Sequence, residues 1–328
     1  MSNIPLVSVV MPVYNGKPYL EEAIESILCQ TFRDFELIII NDGSTDDSET
    51  IINNYKKKND QIRTYSQENQ GLVQTLNRGF GCAKGRYVAR MDADDISLPQ
   101  RLEQQVRILD TELDVAMVGS SFCAVDEKGR HTYVTYQPVS DGAIRWHVLF
   151  HNPFAHTSVM LRASVMRKNN LQYDDSARHA EDYDLWSRLL CFGKGRNIRD
   201  PLVKYRRHSQ RMSSVFLEQQ QEQAIRISAR NLKRLGVALS DKDVKLLREW
   251  YHRFPKQLTD QDIVLCCYLL DILDEFGNQS RVEEAFMRGL RYRWVKLIIS
   301  SLSFNQVAKA WKAGLLKRLA DNSSKVLM

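Results

Sequence analysis

Along the first hundred residues, short apolar runs alternate with stretches in which apolar residues recur every three or four positions. Leu6 to Met11 reads as a buried strand, and Leu20, Ala23, Ile24, Ile27 and Leu28 then mark a helix, with Pro18 where a first turn tolerates it. Phe35 to Ile40 supplies a second, almost wholly apolar strand. The next helix carries Ile51, Ile52 and Tyr55, with Asp46 and Asp47 expected in its first turn, where the helix dipole favours negative charge. Ile62 to Tyr65, Leu72 to Ala83 and Arg86 to Met91 give a third strand, a third helix and a fourth strand. The order β-α-β-α-β-α-β predicts an α/β fold, a parallel sheet with crossover helices.

Beyond Pro99 the pattern loosens. A helix through Leu102, Val106 and Leu109 precedes a strand at Val115 to Gly119 and a hairpin turning at Asp126-Glu127-Lys128-Gly129. Mixed patterning continues to about Val215. From Phe216 the strand signals vanish, and Leu232, Leu235, Leu246, Leu247, Ile263, Leu269, Leu270 and Leu273 indicate helices joined by polar loops. The expected division is an α/β domain over 1–215 and a helical region over 216–328.

Composition adds little to this picture until the charges are mapped. With 43% hydrophobic and 26% charged residues, a packed globular chain is expected. The six cysteines are scattered without a C-x-x-C pair, which argues for reduced thiols and against a zinc site. The start of the chain lacks the basic and long apolar regions of a secretory signal, so the expected compartment is the cytoplasm. No run approaches the roughly 18 apolar residues of a membrane span. The nearest, Trp294 to Phe304, contains Lys296 and three serines. The net charge of +6 is concentrated late: Arg281, Arg288, Arg291, Arg293, Lys296, Lys309, Lys312, Lys317, Arg318 and Lys325 face only Glu283, Glu284 and Asp321. Interleaved with Trp294, Leu297, Ile298, Leu302, Trp311, Leu315 and Leu319, these charges predict one of two things. Either the tail makes a peripheral contact with the anionic inner face of the cytoplasmic membrane, or a helical subdomain or dimer interface covers the same apolar residues.

Open sheets of this kind bind ligands beyond the carboxyl ends of their strands, so the residues after each strand carry the candidate chemistry. They are Pro12-Val13-Tyr14-Asn15, Asn41-Asp42-Gly43-Ser44 and Asp92-Ala93-Asp94-Asp95. Asp92 and Asp94, two apart at a strand end, project to one side, where hard carboxylates suit Mg²⁺ or Mn²⁺ and hence a diphosphate. Asp95 is a candidate cap for the helix after Pro99. Asp42 either accepts the N–H of a uracil or serves its turn, and Tyr14 either stacks on a base or packs. Glu181-Asp182-Tyr183-Asp184-Leu185-Trp186 either satisfies a helix N-terminus or supplies a general base. His208 is a surface histidine or a ligand that reaches the site with a segment running to Ser214.

In this order the segments resemble the family 2 glycosyltransferases, inverting enzymes with the nucleotide-sugar-binding fold called GT-A. The resemblance covers about residues 5–215 and rests on Val9 to Asn15, Ile38 to Asp46, Asn69-Gln70-Gly71 with Asn77-Arg78-Gly79, Ala83 to Asp95, and Glu181 to Trp186. It implies that Pro12, Tyr14, Asn15, Asp42, Asn77, Asp92 and Ala93 contact the donor, that Asp94 binds the metal with Asp92, and that Asp182 is the catalytic base beside Glu181. A histidine that some relatives bring to the site gives His208 a metal or diphosphate contact. Asn152 to Met160 with Arg162 looks like the acceptor-side strand of bacterial O-antigen, capsule and lipopolysaccharide members, which sets His156, with Glu181 and Trp186, on the acceptor side. The implied reaction moves one sugar from a nucleotide diphosphate donor, UDP by family weight, to a hydroxyl of a glycan carried on a polyprenyl diphosphate, with Mn²⁺ or Mg²⁺ as cofactor.

The rival readings lack their marks. A processive polysaccharide synthase of this family carries Q-x-x-R-W and several membrane helices, but Arg293-Trp294 follows Leu290 rather than glutamine. Gly16 alone follows the first strand, so neither a dinucleotide fingerprint nor a P-loop is present. A nucleic-acid-binding protein would carry its basic surface on the domain that here holds the ordered acidic motifs, so no nucleic-acid partner is expected.

Overall fold

A computed structural model describes residues 4–208, 215–278, 282–303, 306, 309–310 and 313–327. It divides into two compact units, Met1–Ser140 with Asn152–Gln220, and Asp141–His151 with Gln221–Met328. The single boundary expected near 216 takes no account of the excursion at 141–151, whose polar start carries no domain-boundary signal.

In the first unit, β1 (Val7–Val13), β2 (Phe35–Asp42), β3 (Ile62–Gln67) and β4 (Tyr87–Arg90) lie side by side in the order β3-β2-β1-β4, parallel at every pairing. Helices α1 (Leu20–Leu28), α2 (Ser48–Lys58) and α3 (Leu72–Cys82) make the crossovers. Every residue of β1 and β2 is buried, which is why these strands read as near-continuous apolar runs rather than alternating ones.

The chain continues through β5 (Ile96–Ser97), α4 (Arg101–Thr111), β6 (Val115–Val125) and β7 (His131–Thr135). After α5 (Asp141–His147), which belongs to the second unit, come β8 (Met160–Arg162), α6 (Ala163–Lys168), α7 (Glu181–Leu189) and β9 (Lys194–Arg206). The sheet extends from β4 as β8-β6-β9-β5, with β7 hairpinned onto β6 through the expected turn at Asp126–Gly129. Strand β8 runs antiparallel to both β4 and β6, so the described sheet is mixed.

Two local expectations change. Asp46 and Asp47 precede α2 rather than fill its first turn: Asp46 accepts the amides of Ser48 and Lys17, and Asp47 pairs with the Lys17 ammonium. Asp95 caps no helix. It is fully buried and accepts the Arg206 amide at 2.8 Å, tying the turn after β4 to the end of β9.

The second unit is helical. Helix α8 (Leu217–Arg234), within which the division falls, is followed by α9 (Asp241–His252), α10 (Asp260–Asn278), α11 (Glu284–Ser301) and α12 (Leu315–Leu327). Trp146, Phe150, Leu232, Leu247, Ile263, Leu270, Phe276 and Trp294 share one core, in which the Trp146 ring lies 5.3 Å from Phe150 and from Phe276. The tail's apolar residues belong here. Trp294, Ile298, Leu315 and Leu319 are buried and Leu297 and Leu302 pack against them, while Trp311 lies outside the described residues. Of the two readings offered for the tail, a helical subdomain covers these apolar residues. No helix among the described residues is long and apolar enough to cross a membrane.

Candidate active site

Because β2, β1 and β4 are adjacent and parallel, their carboxyl ends emerge along one edge of the sheet. The strand order reverses at β1, with β2 on one side and β4 on the other, and such a switch point opens a crevice for ligands. Pro12 is buried within β1 opposite Ile40, and Tyr14 just past it is 55% exposed. Asn15 adopts φ 50°, and its side chain accepts the Thr45 amide at 2.8 Å while its own amide donates to Ser44 Oγ at 3.0 Å. Asn15 thus laces the ends of β1 and β2 together.

Asp42 is buried, and its carboxylate accepts from Gln67 Nε2 at 2.7 Å and from the amides of Gln70 and Gly71, each at 2.9 Å. Gly43, with φ 71°, permits this: a Cβ there would lie 2.7 Å from the Asn69 amide nitrogen. Asp42 braces the loop before α3. Asn77 joins none of the three strand ends. Its carboxamide pairs on both sides with the peptide of Tyr173, at 2.9 Å each way, so it positions Tyr173 instead.

Strand β4 stops at Arg90, and residues 93–95 form a turn, so the turn rather than strand alternation gathers the acidic residues. Asp92, Asp94 and Asp95 bring one oxygen each within 4.8 Å of one another. Asp95 points inward, whereas Asp92 and Asp94 are partly exposed. Beside Ala93, whose Cβ packs close to Gly16, Asp94 accepts or shares a proton with His208 Nε2 at 2.9 Å. The His208 ring lies 5.3 Å from Tyr19, and Arg206 holds the turn by donating to the Asp94 carbonyl at 3.0 Å. His208 therefore does reach the acidic turn, while the segment after it lies outside the described residues. Hard carboxylate oxygens with an adjoining imidazole fit Mn²⁺ or Mg²⁺, with Asp92, Asp94 and His208 as the accessible donors.

On α7, Asp182 and Glu181 diverge as helical neighbours must, by about 100°. Asp182 is 18% exposed and Glu181 7%. Asp182 Oδ2 accepts from Asn152 Nδ2 and Oδ1 from the Tyr183 amide, both at 2.7 Å, which fixes the carboxylate's orientation. Burial pushes its pKa up to about 6; the Tyr183 amide and the positive charge of Arg90 oppose that rise. Burial pushes Glu181 up to about 7, and the charge of Asp182 adds to the rise. At Asp182 burial is the largest cause of the rise, and the negative charge of Asp92 adds little to it.

Trp186, expected on the acceptor side, is fully buried. It forms the wall behind His156 and Tyr173, at ring distances of 5.9 and 6.0 Å. His156 pairs Nε2 with the Tyr173 hydroxyl at 2.9 Å and sets Nδ1 3.9 Å from Asp182 Oδ2. Burial, reinforced by Arg90, holds its imidazole well below the usual range and so neutral. Sequence reasoning missed Arg90. Fully buried, it ion-pairs with Asp92, and its charge also acts on Asp182, Glu181 and His156. Nothing local marks it, because an arginine ending a strand usually reads as a surface residue.

Glu181 gives a pH test of this burial. A carboxyl whose folded pKa lies above its unfolded value contributes stability below the unfolded value and loses it as pH rises through the folded one. Glu181→Gln is expected to match the wild-type melting temperature near pH 5 and exceed it by several degrees at pH 8, following ~2–3 kcal/mol of relieved desolvation. Thermal melts across that range check it, and a difference constant with pH contradicts it.

A sequence profile of the Glycosyl transferase family 2 matches residues 8–167. An uncharacterized glycosyltransferase of Haemophilus influenzae is 35% identical over 265 residues, covering 77% of this chain and 82% of its own. Among solved structures, S. aureus TarS 1-349 in complex with UDP-GlcNAc superposes with TM-score 0.60 at 18% identity, over 97% of this chain and 91% of that one. The mannosyltransferase PcManGT from Pyrobaculum calidifontis, in complex with GDP-Man and Mn²⁺, gives 0.54 at 15% identity, over 99% and 88%. The two structures share the fold, and the relative shares the sequence. A sheet switch point, an acidic turn after β4 and an oriented carboxylate on α7 thus stand in a chain that belongs to glycosyltransferase family 2 and is a glycosyltransferase.

Proposed function

We propose that this glycosyltransferase moves a single sugar, with inversion, from a UDP-sugar to a glycan hydroxyl. The observation that carries the reading is Arg90, which pairs with Asp92 in the acidic turn and also lowers the pKa of Asp182. The two ends of the reaction, departing diphosphate and incoming hydroxyl, then share one electrostatic neighbourhood. Asp92 and Asp94 with His208 would hold Mn²⁺ or Mg²⁺, which would stabilise the charge that gathers on the leaving diphosphate. Exposed Tyr14 stacks on the base. Asp182, oriented by Asn152, takes the acceptor proton while the hydroxyl oxygen bonds to the anomeric carbon and the carbon–oxygen bond to the diphosphate breaks. One displacement inverts the centre. Neutral His156 and Tyr173 form the wall beside Asp182 and exclude water from it.

Support for UDP comes from the TarS complex with UDP-GlcNAc, and support for Mn²⁺ from the mannosyltransferase complex. The acceptor we infer is a lipid-linked glycan of bacterial surface polysaccharide assembly, on the strength of the resemblance at Asn152 to Arg162. A donor screen tests the proposal. With Mn²⁺ and a panel of nucleotide sugars, nucleotide release is expected from a UDP-sugar and to rise when a glycan acceptor is added. Release confined to GDP- or dTDP-sugars, or release unaffected by chelator, overturns it.

A further inference from the structure

The helical unit carries a feature that sugar transfer at the acidic turn does not use. A cavity of about 510 Å³ is walled by Tyr251, Phe254 and Tyr292 and rimmed by Arg253, Arg293 and Lys296, with no carboxylate in its lining. The geometry follows from helical spacing. Tyr292 and Lys296, four apart on α11, share a face with Arg293 beside them, and the Lys296 ammonium lies 5.7 Å from the centre of the Tyr292 ring. Arg253 sits at the end of α9.

The basic residues around this rim differ from several other basic residues of the helical unit. Arg288, Arg291, Lys309, Arg318 and Lys325 each have a carboxylate partner: Glu284, Asp274, Asp260, Asp271 and Asp274 respectively. Among the described residues, Arg253, Arg293 and Lys296 have none. Three like charges around one concavity repel one another, and an anion that enters relieves the repulsion. Small-molecule sites span roughly 300–1,000 Å³, so this one has room for more than a phosphate. Exposed Tyr292 and the ring of Phe254 beside the cations suit the apolar face of a sugar ring, while Tyr251, stacked on Phe150, closes the floor. We propose that the second unit binds a phosphorylated saccharide in this cavity, the cations holding the phosphate and Tyr292 with Phe254 the ring. Two of the basic residues that crowd the end of the sequence, Arg293 and Lys296, then have a ligand.

Calorimetry on the full chain tests this, in EDTA so that no metal assists binding at the acidic turn. Glucose 1-phosphate is expected to bind, glucose not to, and Arg253→Gln/Arg293→Gln/Lys296→Gln to weaken binding at least tenfold. The three side chains are exposed, so folding should survive; unchanged UDP affinity of the variant in Mn²⁺ checks that and keeps this test separate from the donor site. Equal binding by wild type and variant overturns the proposal, as does equal binding of glucose and its phosphate. So does binding only to phosphatidylcholine vesicles doped with phosphatidylglycerol, which would make the rim a charged surface without a saccharide site.

Discussion

Asp182→Asn is expected to lower sugar transfer by roughly 10²–10⁴ while leaving UDP affinity in Mn²⁺ unchanged. Asparagine keeps the shape but cannot take a proton, and its single carbonyl oxygen can accept only one of the two bonds that Asn152 and the Tyr183 amide donate, so the proton-transfer step suffers most. The base works ionised. With its pKa raised by burial to about 6, wild-type kcat/KM should fall as pH drops through that value and level off above it. Glu181→Gln should retain most of the activity, because Glu181 lies deeper and faces away by a helical step. Turnover lost in Glu181→Gln and kept in Asp182→Asn would move the base by one residue. Activity in both would place it elsewhere.

Asp94→Ala is expected to abolish the Mn²⁺ dependence of UDP binding, bringing affinity in Mn²⁺ down by about 10²-fold or more to the level seen in chelator. His208→Ala should cost about tenfold, since it removes one of the donors and the 2.9 Å contact that orients Asp94. Titration calorimetry with and without Mn²⁺ separates the two. Wild-type affinity indifferent to Mn²⁺, or normal transfer by Asp94→Ala, would remove the metal from the mechanism. The fold should tolerate the change: the Asp94 backbone carbonyl, which Arg206 holds, remains, and so does buried Asp95.

Strands β1, β2 and β4 were legible because burial on both faces leaves apolar runs with no competing period, as Val9 to Met11 and Leu37 to Ile40 illustrate. Strands β5 and β8, of two and three residues, are too short to show any period. Strand β9 hides Arg199-Asp200-Pro201 within its pairing, a sequence that reads as a turn, and its register shifts there against β6. In the candidate site, motif and order marked Asp92, Asp94, Asp182 and His208 as candidates, and the fold brings Asp92, Asp94 and His208 together. Asn77 was assigned to the donor on its motif, and its bonds to the Tyr173 backbone, 96 residues away, left no mark in the sequence. Buried Arg90 and Arg101 were illegible for a different reason. Their partners, such as the carbonyls of Arg90 and Val159 for Arg101, come together only through the tertiary fold. The tail left two readings open because an amphipathic basic helix has the same pattern whether lipid or protein covers its apolar face.

The excursion at 141–151 bears on how the chain is made. Trp146 and Phe150 leave the ribosome well before Phe276 and Trp294, the rings that enclose them. At about 5–20 residues per second, that interval lasts on the order of ten seconds. Once β9 has been made, and until those later rings arrive, the nascent chain displays an aromatic loop from a sheet domain whose own strands are complete. The protein therefore emerges with a built-in window for capture by a chaperone or by a neighbouring nascent copy, and the window closes only when the last helices arrive.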